Sequence, residues 1–127
     1  MITYTNNLDI YPGNPPIVIK LSQYDTDFSL VFNLFSSRGT LTIASGTTAV
    51  FREKKPDGNV MSVDATIDIT NKKVTLTPSD TIAKQITAIA GKCCCELSLQ
   101  KNNDELNTAN FVLLVEKAPV DIDEDPF

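Results

Sequence analysis

The stretch Thr47–Val60, Thr-Thr-Ala-Val-Phe-Arg-Glu-Lys-Lys-Pro-Asp-Gly-Asn-Val, constrains the fold more than any other. Val50 and Phe51 favour a strand, because branched and aromatic side chains pack well on a pleated, half-buried surface. Lys55-Pro56-Asp57-Gly58 then stops it. Pro56 presets the backbone angle of the second turn position, Asp57 hydrogen-bonds its own backbone, and Gly58 accepts a positive φ. The chain reverses, and Val60–Val63 starts the return strand. Nothing in the stretch is suited to catalysis.

The rest of the chain repeats this pattern. Ile17, Ile19 and Leu21 share one face of a strand over Ile17–Leu21, and Phe28, Leu30, Phe32 and Leu34 one face of Phe28–Leu34. Ser36-Ser37-Arg38-Gly39 breaks that strand; Leu41–Ala44 is ambiguous. Thr48–Lys54 is followed, beyond the turn, by Val60–Val63 and by Ala65–Thr70, with Ile67 and Ile69 inward. Asn71-Lys72 reads as a tight hairpin loop into Lys73–Thr77, whose Val74 and Leu76 point inward. Lys92–Gln100 sets Cys93, Cys95, Leu97 and Leu99 on one face and Cys94, Glu96, Ser98 and Gln100 on the other. Leu106–Glu116 is apolar on both faces through Phe111–Val115. Such a strand is either covered on both sides or meets a partner with its outer face.

One segment has helical spacing. Ser79 caps it, Asp80 suits the positive end of the helix dipole, and Ile82, Ile86 and Ile89 form one stripe. Gly91 is placed to close its C-terminus. Short strands between turns, with one short helix, read as an all-β, antiparallel β-sandwich, immunoglobulin-like or jelly-roll-like. The boundaries read as an N-terminal arm or edge segment over 1–16, a sandwich over 17–119, and an acidic tail or start of a linker over 120–127. The prolines of Tyr11-Pro12-Gly13-Asn14-Pro15-Pro16 rule out helix and central strand there.

The 127 residues suit a single domain, and 42% of them are hydrophobic, enough for a globular interior. A net charge of −5 argues against nucleic acid and against anionic lipid. The apolar runs fall far short of the ~20 residues that span a bilayer. The N-terminus lacks the pattern of a signal peptide, so the reading places the protein in the cytosol unless it leaves in an assembly. Cys93, Cys94 and Cys95 are adjacent and histidine is absent. On a strand they cannot converge on zinc, so they read as reduced thiols serving as small hydrophobes.

No set of residues has the pattern of a catalytic centre, and no cofactor is expected. Nucleophile-elbow and phosphate-loop patterns are missing, as is any histidine to serve a serine. Asp64 and Asp68 could share a strand face, where solvated carboxylates are the default. Asp121, Asp123 and Asp125 match the first ligands of a calcium loop, but Pro126 takes the glycine position and the sequence stops before the bidentate glutamate. A lectin face would need flat exposed aromatics; there is no tryptophan, and two of three tyrosines, Tyr4 and Tyr11, lie in the arm.

Several stretches together resemble the N-terminal domain of phage baseplate upper proteins. They are Ile17–Leu21 with Gln23-Tyr24-Asp25-Thr26; the strand into Lys55-Pro56-Asp57-Gly58; Val74-Thr75-Leu76-Thr77; Ala90-Gly91-Lys92 into Cys95-Glu96-Leu97-Ser98-Leu99; and Leu106-Asn107-Thr108-Ala109-Asn110-Phe111 before Val115-Glu116-Lys117-Ala118-Pro119. They run from Ile17 to Val120. The cysteine run is not part of the likeness. The resemblance implies a β-sandwich without catalytic residues, a structural adaptor that docks a host-binding module onto the tail hub. It implies a place in the virion baseplate, assembled in the host cytoplasm, with other tail proteins as partners and a homotrimer in the assembly. No nucleic acid or membrane partner is implied. The sequence stops after the acidic tail, so either a receptor-side region is missing or the protein is short, and the resemblance leaves host recognition open. Residues apolar in the arms or on the outer face of the last strand are the expected interface: Tyr4, Tyr11, Val112, Leu114, Ile122 and Phe127. A stand-alone carbohydrate-binding or adhesin module is the alternative.

Overall fold

A computed structural model describes residues 1–11, 13 and 15–118. Within them run β1 (Ile2–Asp9), β2 (Val18–Ser22), β3 (Phe28–Phe35), β4 (Thr48–Lys54), β5 (Val60–Asp68), β6 (Lys73–Leu76), α1 (Asp80–Ile86), β7 (Gly91–Lys101) and β8 (Asp104–Glu116). The strand order is β1-β3-β6-β5-β4-β7-β8-β2. β5 belongs to both halves of this ladder. Its first part, to Ala65, pairs with β4, and Thr66–Asp68 pairs with β6. The strand turns the corner between a first sheet, β1-β3-β6-β5, and a second, β5-β4-β7-β8-β2. The result is a mixed, barrel-like sandwich with one short helix.

Two pairings depart from a wholly antiparallel ladder: β1 runs parallel to β3, and β2 parallel to β8. Parallel neighbours need a crossover between them. Here the proline-rich stretch after β1 carries the chain to the other sheet, so β2 does not return beside β1. The arm or edge segment read over the first residues is β1, an edge strand, and Leu8 and Ile10 are buried in the core.

The inward faces follow period two. Phe28, Leu30, Phe32 and Leu34 of β3 are buried, as are Cys93, Cys95, Leu97 and Leu99 of β7. The sheets meet on three rings. Phe111 lies 4.9 Å from Phe32 and 6.0 Å from Phe51, centroid to centroid, in tilted arrangements that suit aromatic quadrupoles. Leu41 enters the core without forming a strand.

α1 begins as the sequence indicates, with Ser79 Oγ accepting from Ile82 N at 3.3 Å. It ends earlier than the isoleucine spacing suggests. The Thr87 hydroxyl donates to Ala83 O and, across the molecule, to Asp25 O. Gln23 Nε2 donates to Ala88 O, which fixes the segment beyond the helix against the β2–β3 turn. Ile86 and Ala83 are fully buried beneath. Gly91 is therefore not a helix cap; it is the first residue of β7, at φ 123°. At the β5–β6 turn, Lys72 rather than Asn71 takes the left-handed conformation, while the Asp68 carboxylate accepts from Asn71 N and Nδ2.

Candidate docking surface

Strand register aligns the outward residues of the second sheet in rows. One row runs Val18, Val112, Cys94, Lys54, Val60 across five strands. Beside it lies Lys20, Leu114, Lys92. On the other side lies Asn110, Glu96, Arg52, Ser62. Side chains directly opposite on neighbouring strands stand about 5 Å apart, so each row is a continuous surface. The face is concave. A groove of about 550 Å³ is lined by Pro16, Arg52, Val60, Lys92, Cys94 and Val112, among others. Val18 and Val60 are 54% and 74% exposed, while Val112 on the floor is only 8% exposed.

The charges are arranged unevenly. Arg52 Nη1 lies 2.8 Å from both Glu96 Oε1 and Glu105 Oε1, and Ser98 Oγ donates to the same Glu105 oxygen. The Glu96 and Glu105 carboxylates hold the Arg52 guanidinium above its usual range. The Ser98 hydroxyl, then Arg52, hold the Glu105 carboxyl below its own. Lys20, Lys54 and Lys92 take part in none of the ion pairs among the described residues. Lys54 thus lies in the otherwise apolar row and Lys20 and Lys92 beside it, three ammonium groups in none of the ion pairs among the described residues, in a chain of net charge −5.

Of the six residues expected at an interface, the structure places Val112 and Leu114 on this face. Tyr4 is on β1, partly buried against the core, and burial raises its phenol. Tyr11 is 40% exposed in a separate cleft with Phe35, and the Arg38 guanidinium lies 5.1 Å over its ring. Ile122 and Phe127 lie outside the described residues, as do Asp121, Asp123 and Asp125. Val18, Val60 and the three lysines share this face but are not among those six. The valines are apolar residues at outward strand positions, which the strand register alone brings beside Val112; nothing in the sequence marks the lysines.

The inner face of the same sheet holds a buried acid. Glu53 is 1% exposed, and neither carboxylate oxygen has a hydrogen-bond partner of ordinary geometry. Burial pushes its pKa up to about 7, against the opposing field of Lys55 and a weak interaction with the Cys93 thiol. Burial pushes the Cys93 thiol up to about 12 and raises Cys95 as well. All three cysteines are free, and only Cys94 is exposed. Among the described residues, no three acidic or cysteine side chains converge as a metal site would require.

No protein-family model matches the chain, and no curated protein is similar to it. A solved structure does match. It is the N-terminal domain of phage TP901-1 ORF48, at a TM-score of 0.69 and 16% identity, covering 92% of this chain and 100% of that one. The chain has the fold of that phage domain. At this identity the match establishes the fold alone. It covers the neighbour in full, so the shared architecture is the whole phage domain and not a fragment of it.

Proposed function

We propose that the protein is a structural component of a phage tail baseplate, an adaptor that docks onto the tail hub by burying surface. One observation carries this: the fold matches, over 92% of this chain and the whole of the neighbour, the N-terminal domain of phage TP901-1 ORF48. The sequence resemblance to baseplate upper proteins, read from separate residues, supports the same assignment. The reading places the protein in the virion tail, with tail proteins as partners, a trimer in the assembly, and no catalytic step. Among the described residues, the groove over Val112, Cys94 and Val60, with Val18 beside it in the same row, is the surface best suited to docking. It is concave, carries apolar side chains, and is built mainly on β4, β7 and β8, each paired on both sides. A stable contact buries on the order of 1,200–2,000 Å² in total.

Binding to the cognate tail-hub protein, measured by biolayer interferometry, tests the proposal. The wild-type chain should bind; Val18→Ser with Val60→Ser should bind at least about tenfold more weakly, a loss of about 1.4 kcal/mol. Both valines are exposed, so the fold should survive, which circular dichroism checks. Absence of binding to any tail protein, with binding to a cell-wall saccharide, replaces the adaptor by the carbohydrate module. The Tyr11–Phe35 cleft would be its site, although Arg38 covers one face of Tyr11.

A further inference from the structure

The ladder of strands ends at β1 on one side and at β2 on the other, and the two edges differ. β2 is guarded. Val112 N donates to Ile17 O, so Val18, Lys20 and Ser22 turn their backbone groups outward. Pro15 and Pro16 precede the strand, Lys20 charges it, and Asp25 takes both the N–H and the C=O of Ser22. Prolines, a lysine and a short run are devices that keep sheet edges from pairing. β1 has none of them. Ile2 N donates to Asp27 O and Ile10 N to Phe35 O, so the even-numbered residues bond β3 while Thr3, Thr5 and Asn7 turn their N–H and C=O outward. Among the described residues, nothing bonds these outward groups. From Ile2 to Leu8 the strand carries no charge, no proline and no bulge.

We propose that β1 pairs antiparallel with β1 of a second copy of this chain, about a twofold axis at Thr5. The free backbone groups set the register. In an antiparallel pair, residues that exchange hydrogen bonds stand directly opposite each other. The set Thr3, Thr5 and Asn7 maps onto itself only when Thr5 faces the partner's Thr5 and Thr3 faces the partner's Asn7. The pairing stops there, because Asp9 holds the turn by which the chain leaves the edge: its carboxylate accepts from Tyr11 N and Ser37 N. The side chains suit this register. Threonine opposite threonine is a favourable cross-strand pair. Ile2, 61% exposed on an edge strand, comes opposite the partner's Leu8, and no like charges meet. The contact is self-complementary, as a twofold interface must be. One strand pair buries less than the roughly 1,200 Å² of a standard interface, so the association is weak and needs copies held close together. A dissociation constant on the order of 0.1 mM is expected. The inference uses the first sheet alone and does not depend on the docking surface of the second.

Sedimentation equilibrium of the whole chain, from about 10 μM to about 1 mM, should show a monomer–dimer equilibrium. Thr5→Pro removes an N–H that points away from β3, a position where an edge strand tolerates proline, so the monomer should keep its fold, which circular dichroism checks. The same change should weaken the dimer at least about tenfold. A second measurement reads the register and leaves the backbone donors in place. Cys94, the one exposed thiol, is first changed by Cys94→Ser. In that background Thr5→Cys brings two thiols together across the axis, where opposite α-carbons stand about 5.5 Å apart, within disulfide range. Thr3→Cys leaves its thiols four residues out of step, about 14 Å apart. Oxidation with diamide should therefore link the Thr5→Cys chains into dimers and leave the Thr3→Cys chains largely monomeric. Absence of association up to about 1 mM overturns the proposal. So does a dimer that Thr5→Pro leaves intact, because the contact then lies elsewhere. Equal cross-linking at the two positions, or none at Thr5, overturns it as well.

Discussion

Pro56, in the β4–β5 turn, closes over Gly91, the first residue of β7. A β-carbon on Gly91 would stand 3.0 Å from Pro56 Cγ, so close that the proline ring would have to give, and Gly91 is held at φ 123°. The turn thus packs its ring on the entry to the most buried strand of the second sheet. Gly58, in the same turn, also has a positive φ, 89°, but open space around it. Its N–H donates to Lys55 O at 2.9 Å.

These two glycines should respond differently. Gly58→Ala meets only the backbone penalty, about 1–2 kcal/mol. Gly91→Ala adds the contact with Pro56 to a strained backbone and should cost more, about 2–4 kcal/mol. Urea unfolding of both variants checks the order. Pro56→Ala should relieve part of the Gly91→Ala loss, giving a coupling of at least about 0.5 kcal/mol in a double-mutant cycle. Equal losses at the two glycines would show that Pro56 does not constrain β7.

Leu97 is 1% exposed between the sheets, and Leu106 on the neighbouring strand is 45% exposed. Leu97→Ala should cost about 2–5 kcal/mol by loss of contacts and the cavity left behind. Leu106→Ala should stay within about 0.5 kcal/mol. Thermal melts of both chains test whether β7 presents this face to the core; a shift of similar size in each would contradict the register.

Alternation made the strand faces legible in the sequence, because it acts within one strand. β3, β4, β7 and β8 needed only their own residues to be read, and the Pro-Asp-Gly turn declared itself through Pro56 and Gly58. The pairing of β1 with β3 and of β2 with β8 was not legible. Parallel neighbours are set by where a crossover delivers the chain, and no local pattern records that. The end of α1 was hidden for the same reason. Ile89 continues the helical stripe, but Thr87 is engaged by Asp25, more than sixty residues earlier. The candidate docking face was half legible: Val112 and Leu114 stood out in an apolar run, whereas Val18 and Val60 join them only once five strands are in register.

The Thr87 hydroxyl ties the helix end to the β2–β3 turn through Asp25 O at 2.9 Å. Thr87→Val keeps the shape and removes the donor, so it should destabilise by about 1–2 kcal/mol. Thr87→Ser retains the hydroxyl and should lose less. Hydrogen exchange at Ala83 and Ile86 should quicken in the valine variant. Unchanged protection there would mean that burial of Ile86 alone holds the helix.

Glu53 makes stability depend on pH in an unusual direction. Its folded-state pKa is raised to about 7 from 4.5, so the folded chain holds the Glu53 proton more tightly than the unfolded chain does. Below about pH 4.5 both states are protonated and the residue adds no pH-dependent penalty. Between there and about pH 7 the unfolded chain releases its proton first, and folding becomes progressively less favourable. Above pH 7 the full penalty is present, about 3 kcal/mol for a shift of this size. Asp68 and Glu105, whose carboxyls are held below their usual range, act in the opposite sense, but on the acid side of this window. The raised thiols of Cys93 and Cys95 act only at alkaline pH. Urea midpoints measured from pH 4.5 to pH 8 should therefore fall with rising pH. Glu53→Gln should flatten that slope, whatever its effect at one pH, because an amide does not titrate. A wild-type profile that stays level across the window, or a glutamine variant with the same slope, would show that the Glu53 carboxylate finds a partner when it ionises.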